Sequence, residues 1–502
     1  MSCKDNDFIH NFGSRKNILN LMKKKIFRHC LCCLLLAAAA ACGPRERTVV
    51  LLSTNDIHAR IQRFPQLAAA VKACRDTADV VFLVDAGDRW TGNAYVDLAE
   101  NRRPVLELMN RLGYDAATLG NHEFDAGHAV LGDMLRFAEF PVVCANLRSD
   151  TASVPQTPPG VVVEKDGVRV GFVGVVTNFE GEGRPAGHAD RFTGLTFPDP
   201  LCAARRYESL AGDCDLLVLI SHMGATHDRD LLAEPSAYDL VIGGHSHEVI
   251  DERIGATLLT QTGKNLQYVG ATTVRLRGHE VVSTDFRLVP LDAYAPDPEF
   301  AAEVERYYAA PALHRVVGRL GAGASHTGLA NLITDRMAAR TGAEVAFYHI
   351  GGVRLDTLAP GDVELAVLYD LEPFGTTVVE AEMTPAQMRR MILAKYNDPV
   401  NTKESHRIDI YSTEPYAIEV GPDGEAVDVL FPGLREGRVY RVAMSDYMYK
   451  KYEALKYDAP RESGPAVLDL LREALESTAP LLPDNAPRQT ERHAALPVPK
   501  AA

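Results

Sequence analysis

Seven side chains of types that bind metal ions fall in five short clusters between residues 56 and 247, each after an apolar run. In chain order they are Asp56 and His58 in TNDIHAR, Asp88 in DAGDRW, Asn121 in GNHEFD, His222 in ISHMG, and His245 and His247 in GGHSH. This number of donors suits two metal ions that share one carboxylate. Two metal ions a few ångströms apart can activate water and hold a phosphoryl group, so the clusters predict a centre that cleaves phosphate esters.

The apolar runs before these clusters are the elements that must position them. Ligand sites in open α/β sheets gather outside the carboxyl ends of strands, so we expect the five clusters to converge. Gly87 lets the backbone bend before Asp88, and that carboxylate can then bridge two ions. The mixed nitrogen and oxygen donors suit two divalent ions of Zn, Mn, Fe or Co rather than Mg or Ca.

His122 and Asp125 form a further candidate pair. His122 directly follows Asn121, so it must lie beside the same site, and Asp125 is close enough to orient the imidazole and favour its protonated form. A cation there can stabilise charge on phosphoryl oxygens or assist the departing oxygen. The expected reaction is attack of a metal-activated water on phosphorus. A purely structural His–Asp bond is the alternative.

The pattern of apolar residues predicts an α/β fold. Nearly continuous apolar runs indicate strands that are covered on both faces: VVLLS, DVVFLVD, AATL, VRVGFVGV, DLLVLIS and YDLVIGG. From Thr257 to Leu291 the runs alternate, which predicts antiparallel strands at the end of a domain that spans residues 47–292. A helical linker over residues 293–317 and a second α/β domain over residues 318–495 are expected to follow.

The metal-binding clusters resemble those of a known family. TNDIHAR, GD, GNHEFD, SHMG and GGHSH are similar to the motifs of calcineurin-like metallophosphoesterases of the bacterial 5'-nucleotidase / UDP-sugar hydrolase branch. The resemblance implies an N-terminal α/β/β/α sandwich as the metallophosphoesterase domain and a smaller C-terminal α/β substrate-binding domain. It also implies two ligand sets that share Asp88, namely Asp56, His58, Asp88 and His247, and Asp88, Asn121, His222 and His245.

The second domain resembles the family less closely. HIGGVRLD and YDLEPFGTTVV are similar to two family motifs and make Arg354 the implied substrate arginine, while AMSDYMYKKY makes Tyr447 an implied base-stacking ring. A surface arginine and a packing tyrosine are the alternatives. The family's Asn after Pro-Phe-Gly is Thr376 here, and its ribose-binding Gly-Gly-Asp-Gly is missing after Tyr449. The sequence thus keeps the groups for cleavage and departs from those that recognise the nucleoside.

The N-terminus has the pattern of a secretion signal. Lysines at 23–25 and Arg28 precede an apolar run at residues 31–41 that ends in small residues, which predicts a signal peptide over residues 1–41. The run is too short for a spanning helix. The Ala-Ala-Ala-Cys ending resembles a bacterial lipoprotein signal and implies lipidation of Cys42, with ordinary secretion as the alternative. The expected location is the bacterial cell envelope, periplasmic or surface-facing, with a lipid anchor as the membrane attachment.

Length and charge limit the partners. A chain of 502 residues is too long for one compact core, which favours two domains. Without residues 1–41 it has 46 Lys and Arg against 65 Asp and Glu, a formal net charge of −19. So acidic a chain has no general attraction for a long nucleic acid. A small phosphorylated substrate remains possible, because metal cations and local arginines can reverse the field in one cleft.

Together these features predict a lipid-anchored dimetal hydrolase that releases phosphate from nucleotides outside the cytoplasm. The same centre acting on cyclic nucleotides, nucleotide-sugars or sugar phosphates is one alternative. A non-catalytic surface binding lipoprotein is another. The cysteines that remain after position 41 have no metal-site spacing; Cys202 and Cys214 could form one bridge, or all could be small apolar residues. The sequence leaves the oligomeric state open.

Overall fold

The computed structural model describes residues 46–179, 183–398, 408–451, 464–476 and 479–493. The predicted signal segment, Cys42 and residues 494–502 lie outside the described residues. Along the part of the chain that is described, no helix combines the length and apolar character needed to cross a membrane. Cys202 and Cys214 are both free thiols, so the possible bridge between them is absent from the described structure.

The first half of the chain forms two main sheets, of order β13-β12-β1-β2-β3 and β10-β11-β9-β8-β6-β5. The strands are β1 (Glu46–Thr54), β2 (Val80–Asp85), β3 (Ala116–Ala117), β4 (Arg148–Ser149), β5 (Gly160–Lys165), β6 (Val168–Val176), β7 (Leu195–Thr196), β8 (Leu216–His222), β9 (Leu240–Ile242), β10 (Val249–Ile254), β11 (Thr257–Thr262), β12 (Tyr268–Arg277) and β13 (Glu280–Pro290). The two short strands β4 and β7 pair with each other.

Helices cover the outer faces of these sheets. The α-helices are Phe64–Arg75, Ala94–Asp97, Pro104–Leu112, His128–Phe137, Pro200–Arg206 and Ala225–Leu232. Short 3-10 helices occupy Ile61–Arg63, Glu100–Arg102, His122–Phe124, Ala189–Phe192, Glu208–Asp213 and Leu291–Ala293.

Successive side chains of the central strand β1 enter two different cores. Val49 and Leu51 point into the core between the sheets. Val50 and Leu52 pack with the helices on the outer face. Because successive side chains of a strand face opposite sides, a strand covered on both faces needs an unbroken apolar run, which is what the sequence shows.

The layers are helices, sheet, sheet and helices. The rings of Phe82 on β2 and Phe172 on β6 meet across the two sheets with centroids 6.1 Å apart. On the far side of the second sheet, Leu217 and Leu219 pack with Leu231 from a covering helix. The predicted α/β fold class, with an N-terminal α/β/β/α sandwich, is confirmed.

The last strands of the first half differ in one respect from the prediction of a simple antiparallel finish. β12 pairs antiparallel with β1, and β13 with β12, as expected. β11 instead enters the other sheet, where it lies parallel to β9 and antiparallel to β10. Alternation of apolar residues identifies a strand but carries no information about which sheet it joins.

The helix Pro298–Tyr308 lies within the predicted linker, residues 293–317, and packs on the first half. The carboxylate of Asp297 accepts hydrogen bonds from two backbone N–H groups of its first turn, which fixes the start of the helix. Arg111 of a sandwich helix pairs with Glu299 at 2.9 Å. The connection to the second half is therefore anchored on the sandwich.

The second half is smaller and also mixed α/β. Its sheets are β19-β23-β16-β20 and β22-β21-β24, with the pairs β14-β18 and β15-β17. The strands are β14 (Val316–Leu320), β15 (Ala324–Ser325), β16 (Val345–His349), β17 (Thr357–Leu358), β18 (Gly361–Glu364), β19 (Val378–Met383), β20 (Ile410–Ser412), β21 (Tyr416–Val420), β22 (Ala426–Leu430), β23 (Tyr440–Ser445) and β24 (Gln489–His493). The helices are His326–Thr341, Ile350–Gly352, Leu365–Leu371, Pro385–Tyr396, Asp446–Lys451 and Val467–Leu475.

Phe82→Ala removes a ring from between the two sheets, so we expect the free energy of unfolding of the first half to fall by about 3–5 kcal/mol. Trp90, the single tryptophan of the chain, is buried in this half, and its fluorescence during urea unfolding follows that half alone. Val282→Ala, at a half-exposed position on β13, is the control and should change the value by less than about 0.5 kcal/mol. Equally small effects of both changes would mean that Phe82 does not join the sheets.

Candidate metal centre

The loops after β1 and β2 are joined through their backbones. The N–H of Asp56 donates to the carbonyl oxygen of Gly87 at 3.0 Å, and the N–H of His58 donates to that of Asp88 at 3.0 Å. β1 and β2 are parallel neighbours, so their carboxyl ends lie side by side. The two loops continue this pairing past the sheet edge and bring their predicted ligands together.

Most of the predicted ligands have an unusual backbone conformation. Left-handed φ angles occur at Asp56 (50°), His58 (46°), Asp88 (57°), His245 (76°) and His247 (59°). An L-residue in this region costs on the order of 1–3 kcal/mol, and such strain concentrates at functional sites. The sequence predicted freedom at the neighbouring glycines but gave no sign that the ligands themselves would be strained.

The first group of donors consists of Asp56, His58 and His247, whose ligand atoms all lie within 4.8 Å of one another. The Nε2 atoms of the two histidines are 3.0 Å apart, and Nε2 of His247 is 3.4 Å from Oδ1 of Asp56. Three donors from the ends of β1 and β9 thus face a common point.

The second group consists of Asp88, His222 and His245, again with ligand atoms within 4.8 Å. Nδ1 of His245 lies 3.0 Å from Oδ1 of Asn121, which adds the amide oxygen to this group. Asp88 also forms a group with His58, so it touches both sets of donors. The structure therefore brings all seven predicted ligands to one place, with Asp88 between the two groups.

His222 tests whether these donors fit a metal ion. Its Nδ1 lies 2.6 Å from the carbonyl oxygen of Ala86, an acceptor, so Nδ1 carries the proton. Its Nε2 is buried without a well-aligned hydrogen-bond partner and faces Oδ2 of Asp88 at 3.2 Å. Burial lowers the pKa of His222. The nearby carboxylate of Asp88 outweighs this effect, and the pKa is raised to about 10. Both observations indicate that positive charge is favoured between Nε2 of His222 and Asp88. A divalent cation would supply that charge.

A buried ion network beneath Asp88 was missed by the sequence reasoning. Glu123 accepts hydrogen bonds from the backbone N–H groups of Asp88 at 3.0 Å, of Arg89 at 2.8 Å and of Gly120. The guanidinium of Arg89 donates to Asp85 at 3.0 Å. All three charged side chains are almost fully buried. Glu123 thereby ties the loop of Asp88 to the loop of Asn121.

Gly120 is required where these two loops touch. A Cβ at this position would lie 2.1 Å from Oδ1 of Asp88, closer than any real contact. The glycine before Asn121 thus allows the carboxylate to lie against the backbone. Gly120 directly precedes the predicted ligand Asn121 in GNHEFD, so this glycine was a sequence signal for a close contact beside the site.

His122 and Asp125 form the expected pair, with Nδ1 of His122 2.8 Å from Oδ2 of Asp125. Thr91, which the sequence reasoning did not single out, donates its hydroxyl to the same oxygen at 2.7 Å. Burial lowers the pKa of His122, but the carboxylates of Asp125 and Asp88 outweigh it and the net shift is upward. The other ring nitrogen, Nε2, lies 3.9 Å from Oδ2 of Asp88 and so faces the predicted metal ligands.

Arg354 and Phe374 reach the centre from the second half. Nη2 of Arg354 lies 3.0 Å from Nδ1 of His58. The ring of Phe374 stacks on His122 with centroids 5.8 Å apart, and the Arg354 guanidinium lies 5.8 Å from the same ring. Phe374 stands in the EPFG segment, where its proximity to the site could not be read from the sequence.

Tyr447, the base-stacking ring that the family resemblance implies, lies beside another aromatic side chain of the second half. It lies on the helix Asp446–Lys451, directly after β23, and its ring is 4.6 Å from that of His349. His349 ends β16, on the strand that leads to the segment of Arg354.

Asp88→Ala should lower the bound metal from two equivalents per chain to less than one, because Asp88 lies between both donor groups. His247→Ala, which removes a donor from one group, should leave about one equivalent; elemental analysis by mass spectrometry after dialysis measures both. Asp292→Ala, at an exposed position in the 3-10 helix that follows β13, is the control. Retention of two equivalents by Asp88→Ala would rule out the shared carboxylate.

Two family models match this chain. Residues 50–249 match the model for calcineurin-like phosphoesterases, and residues 314–457 match that for the 5'-nucleotidase C-terminal domain. The first match covers the strands that end at the predicted metal ligands. The second covers Arg354, Phe374 and Tyr447.

Several known proteins are similar to the chain over most of its length. The trifunctional nucleotide phosphoesterase protein YfkN of Bacillus subtilis is 25% identical over 80% of the chain, which spans only 32% of that relative's length. The protein UshA of Yersinia enterocolitica is 24% identical over 70% of the chain and 77% of its own length. The solved 5'-nucleotidase precursor of Thermus thermophilus has a TM-score of 0.75 at 22% identity, over 88% of the chain and 99% of that structure. The chain belongs to the calcineurin-like phosphoesterases that carry a 5'-nucleotidase C-terminal domain.

Proposed function

We propose that this protein is a dimetal phosphoric ester hydrolase that releases phosphate from nucleotides. The observation that carries the proposal is the position of Asp88 between two groups of buried donors. Membership in a metallophosphoesterase family supports a divalent metal requirement. The mixed imidazole, carboxylate and amide donors favour Zn, Mn, Fe or Co.

The two ligand sets follow from the donor groups. Asp56, His58, Asp88 and His247 would hold one cation, and Asp88, Asn121, His222 and His245 the other. When bound, such a pair lowers the pKa of a water molecule and neutralises charge on phosphoryl oxygens.

The side chains around the metal ligands supply the remaining functions. His122, held at Nδ1 by Asp125, presents Nε2 toward the reacting phosphoryl group and delivers its proton to the leaving oxygen. The guanidinium of Arg354 is placed beside His58 to pair with phosphoryl oxygens. Phe374 offers the face of its ring to a flat leaving group such as a nucleoside.

The pattern at residues 23–42 supports a location outside the cytoplasm. We infer that Cys42 is the lipidated first residue of the mature chain and that the enzyme acts in the cell envelope. Mass spectrometry of the N-terminal peptide from membranes should show an acylated Cys42. An unmodified N-terminus at another residue would contradict the anchor and leave the hydrolase proposal intact.

His122→Ala should keep both metal ions and slow turnover of an aryl phosphate on the order of 100-fold or more, which is typical of one positioned acid–base group. His279→Ala, at a largely exposed histidine on the surface, is the matched control and should retain wild-type turnover. Little loss of rate in His122→Ala would remove this residue from the mechanism.

A substrate panel tests the proposed function itself. The protein, loaded in turn with zinc, manganese, iron and cobalt, is assayed with an aryl phosphate, nucleoside monophosphates, cyclic nucleotides, nucleotide-sugars and sugar phosphates. We expect the highest kcat/KM for nucleoside monophosphates. A higher value for another class would replace the substrate assignment. If the protein with two metal ions bound turns over none of these compounds, the proposal of an enzyme is contradicted.

A further inference from the structure

The loop of residues 243–248 joins β9 to β10 and carries two of the predicted metal ligands, His245 and His247. Strand β11 lies between β9 and β10 in the sheet, so it runs alongside both ends of this loop. Backbone hydrogen bonds of 2.8 Å join Gly243 and Glu248, at the two ends of the loop, to β11 and to the residue directly after it. The conformation between these ends depends on further contacts.

Gln261 of β11 makes such contacts with its side-chain amide. Nε2 of Gln261 donates to the carbonyl oxygen of Gly244 at 2.9 Å. Its Oε1 accepts the hydroxyl of Ser246 at 2.8 Å and the backbone N–H of Glu248 at 2.7 Å. Gln261 is fully buried, and these two donors use both lone pairs of Oε1, so the orientation of the amide is fixed. One buried side chain thus makes three hydrogen bonds to the loop.

The contacts of Gln261 alternate with the predicted ligands along the loop. They fall on residues 244, 246 and 248, and the side chains of the residues between them reach the metal centre instead. Nε2 of His247 lies 3.4 Å from Oδ1 of Asp56, and Nδ1 of His245 lies 3.0 Å from Oδ1 of Asn121. His247 belongs to one donor group and His245 to the other, so this loop serves both.

The two ligand residues of the loop have strained backbones. Their φ angles are 76° at His245 and 59° at His247, both in the left-handed region. Such a conformation persists only where the surrounding structure determines it. Gln261 provides this restraint, because it binds the carbonyl group before His245 and the N–H group after His247. A buried amide is costly without its partners, which further favours this one arrangement of the loop.

The same end of β11 also holds Asp56. Oδ1 of Asn55 accepts the backbone N–H of Thr262 at 2.9 Å, and Nδ2 of Asn55 donates to the carbonyl oxygen of Gly263 at 2.7 Å. Nδ2 also donates to Oδ2 of Asp56 at 2.7 Å. That carboxylate in turn accepts the N–H of His245 at 3.1 Å. The strand end therefore sets the position of Asp56 relative to the loop.

We propose that Gln261 is a positioning residue for both metal ions, because it holds the loop in the conformation that presents His245 and His247 before a metal ion binds. The inference rests on the proposed dimetal centre and adds a residue outside both ligand sets. A site that is already ordered loses less conformational entropy on binding, so the loss of these contacts should weaken metal binding. Residues that hold metal ligands in place contribute about 10- to 100-fold to metal affinity.

The test measures the affinity of the metal-free protein for zinc, in both binding steps, by competition with a chelator. Gln261→Met keeps the length of the side chain and removes all three hydrogen bonds, so both dissociation constants should rise about 10-fold or more. Ser246→Ala removes one of the three and should raise both by about 3-fold. Combining the two changes should weaken binding no further than Gln261→Met alone, because Ser246 acts through Gln261. Independent structural damage would instead add up.

Gln156→Met is the matched control. The amide of Gln156 also bonds the backbone of a loop, at Leu147 and Ser149, but that loop carries none of the predicted ligands. Its zinc affinities should stay within about 2-fold of wild type. Trp90 fluorescence checks that each metal-free variant is folded.

The possible outcomes are distinct. Wild-type affinity in Gln261→Met, an equal loss in Gln156→Met, or a loss in one binding step alone would overturn the positioning role. If Gln261→Met does not fold, Ser246→Ala decides the question, and wild-type affinity in that variant would overturn the role. A wild-type chain that binds fewer than two zinc ions would instead contradict the proposed function.

Discussion

The convergence of imidazole nitrogens and carboxylate oxygens around Asp88 is the constraint on which the rest of the structure depends. Nε2 of His222 faces this carboxylate at 3.2 Å, and the Nε2 atoms of His58 and His247 face each other at 3.0 Å. Carboxylate oxygens and imidazole nitrogens that converge in this way form a site that favours a cation. The five strained ligand backbones and the buried Glu123–Arg89 network hold this arrangement against relaxation. The two cores of the sandwich supply the stability that offsets their cost.

The second half completes the centre rather than merely adjoining it. Arg354 and Phe374 approach His58 and His122, so a phosphoryl group at the metal ligands would meet side chains from both halves. The interface is anchored elsewhere by direct contacts: the carboxylate of Asp370 accepts the backbone N–H of Ala94 at 2.6 Å. Side chains from the two halves therefore have a defined relation at the site. Substrate selection can then depend on the second half while the cleaving groups stay on the first.

Residue type and position at strand ends were sufficient to predict which side chains meet, because parallel strands end at the same edge of a sheet. The same reasoning could not find Glu123, Arg89 or Thr91. A charged residue in a motif gives the same sequence signal in two cases: its side chain can bind a metal ion, or it can form hydrogen bonds with the backbone of a neighbouring loop. Phe374 shows the corresponding weakness for aromatic side chains near the site. An aromatic residue is placed by tertiary packing, and here the contact with His122 falls to a ring in a turn. The sheet joined by β11 was likewise beyond local patterning, since strand partners are fixed by long-range contacts.

The central claim is that Asp88 is shared by two neighbouring cations. Crystals of the protein loaded with manganese or zinc, measured at the absorption edge of the metal, test it most directly. The account predicts two anomalous peaks about 3.5–4 Å apart, with a carboxylate oxygen of Asp88 within bonding distance of both. A single peak, or two peaks too distant for Asp88 to contact both, would contradict it.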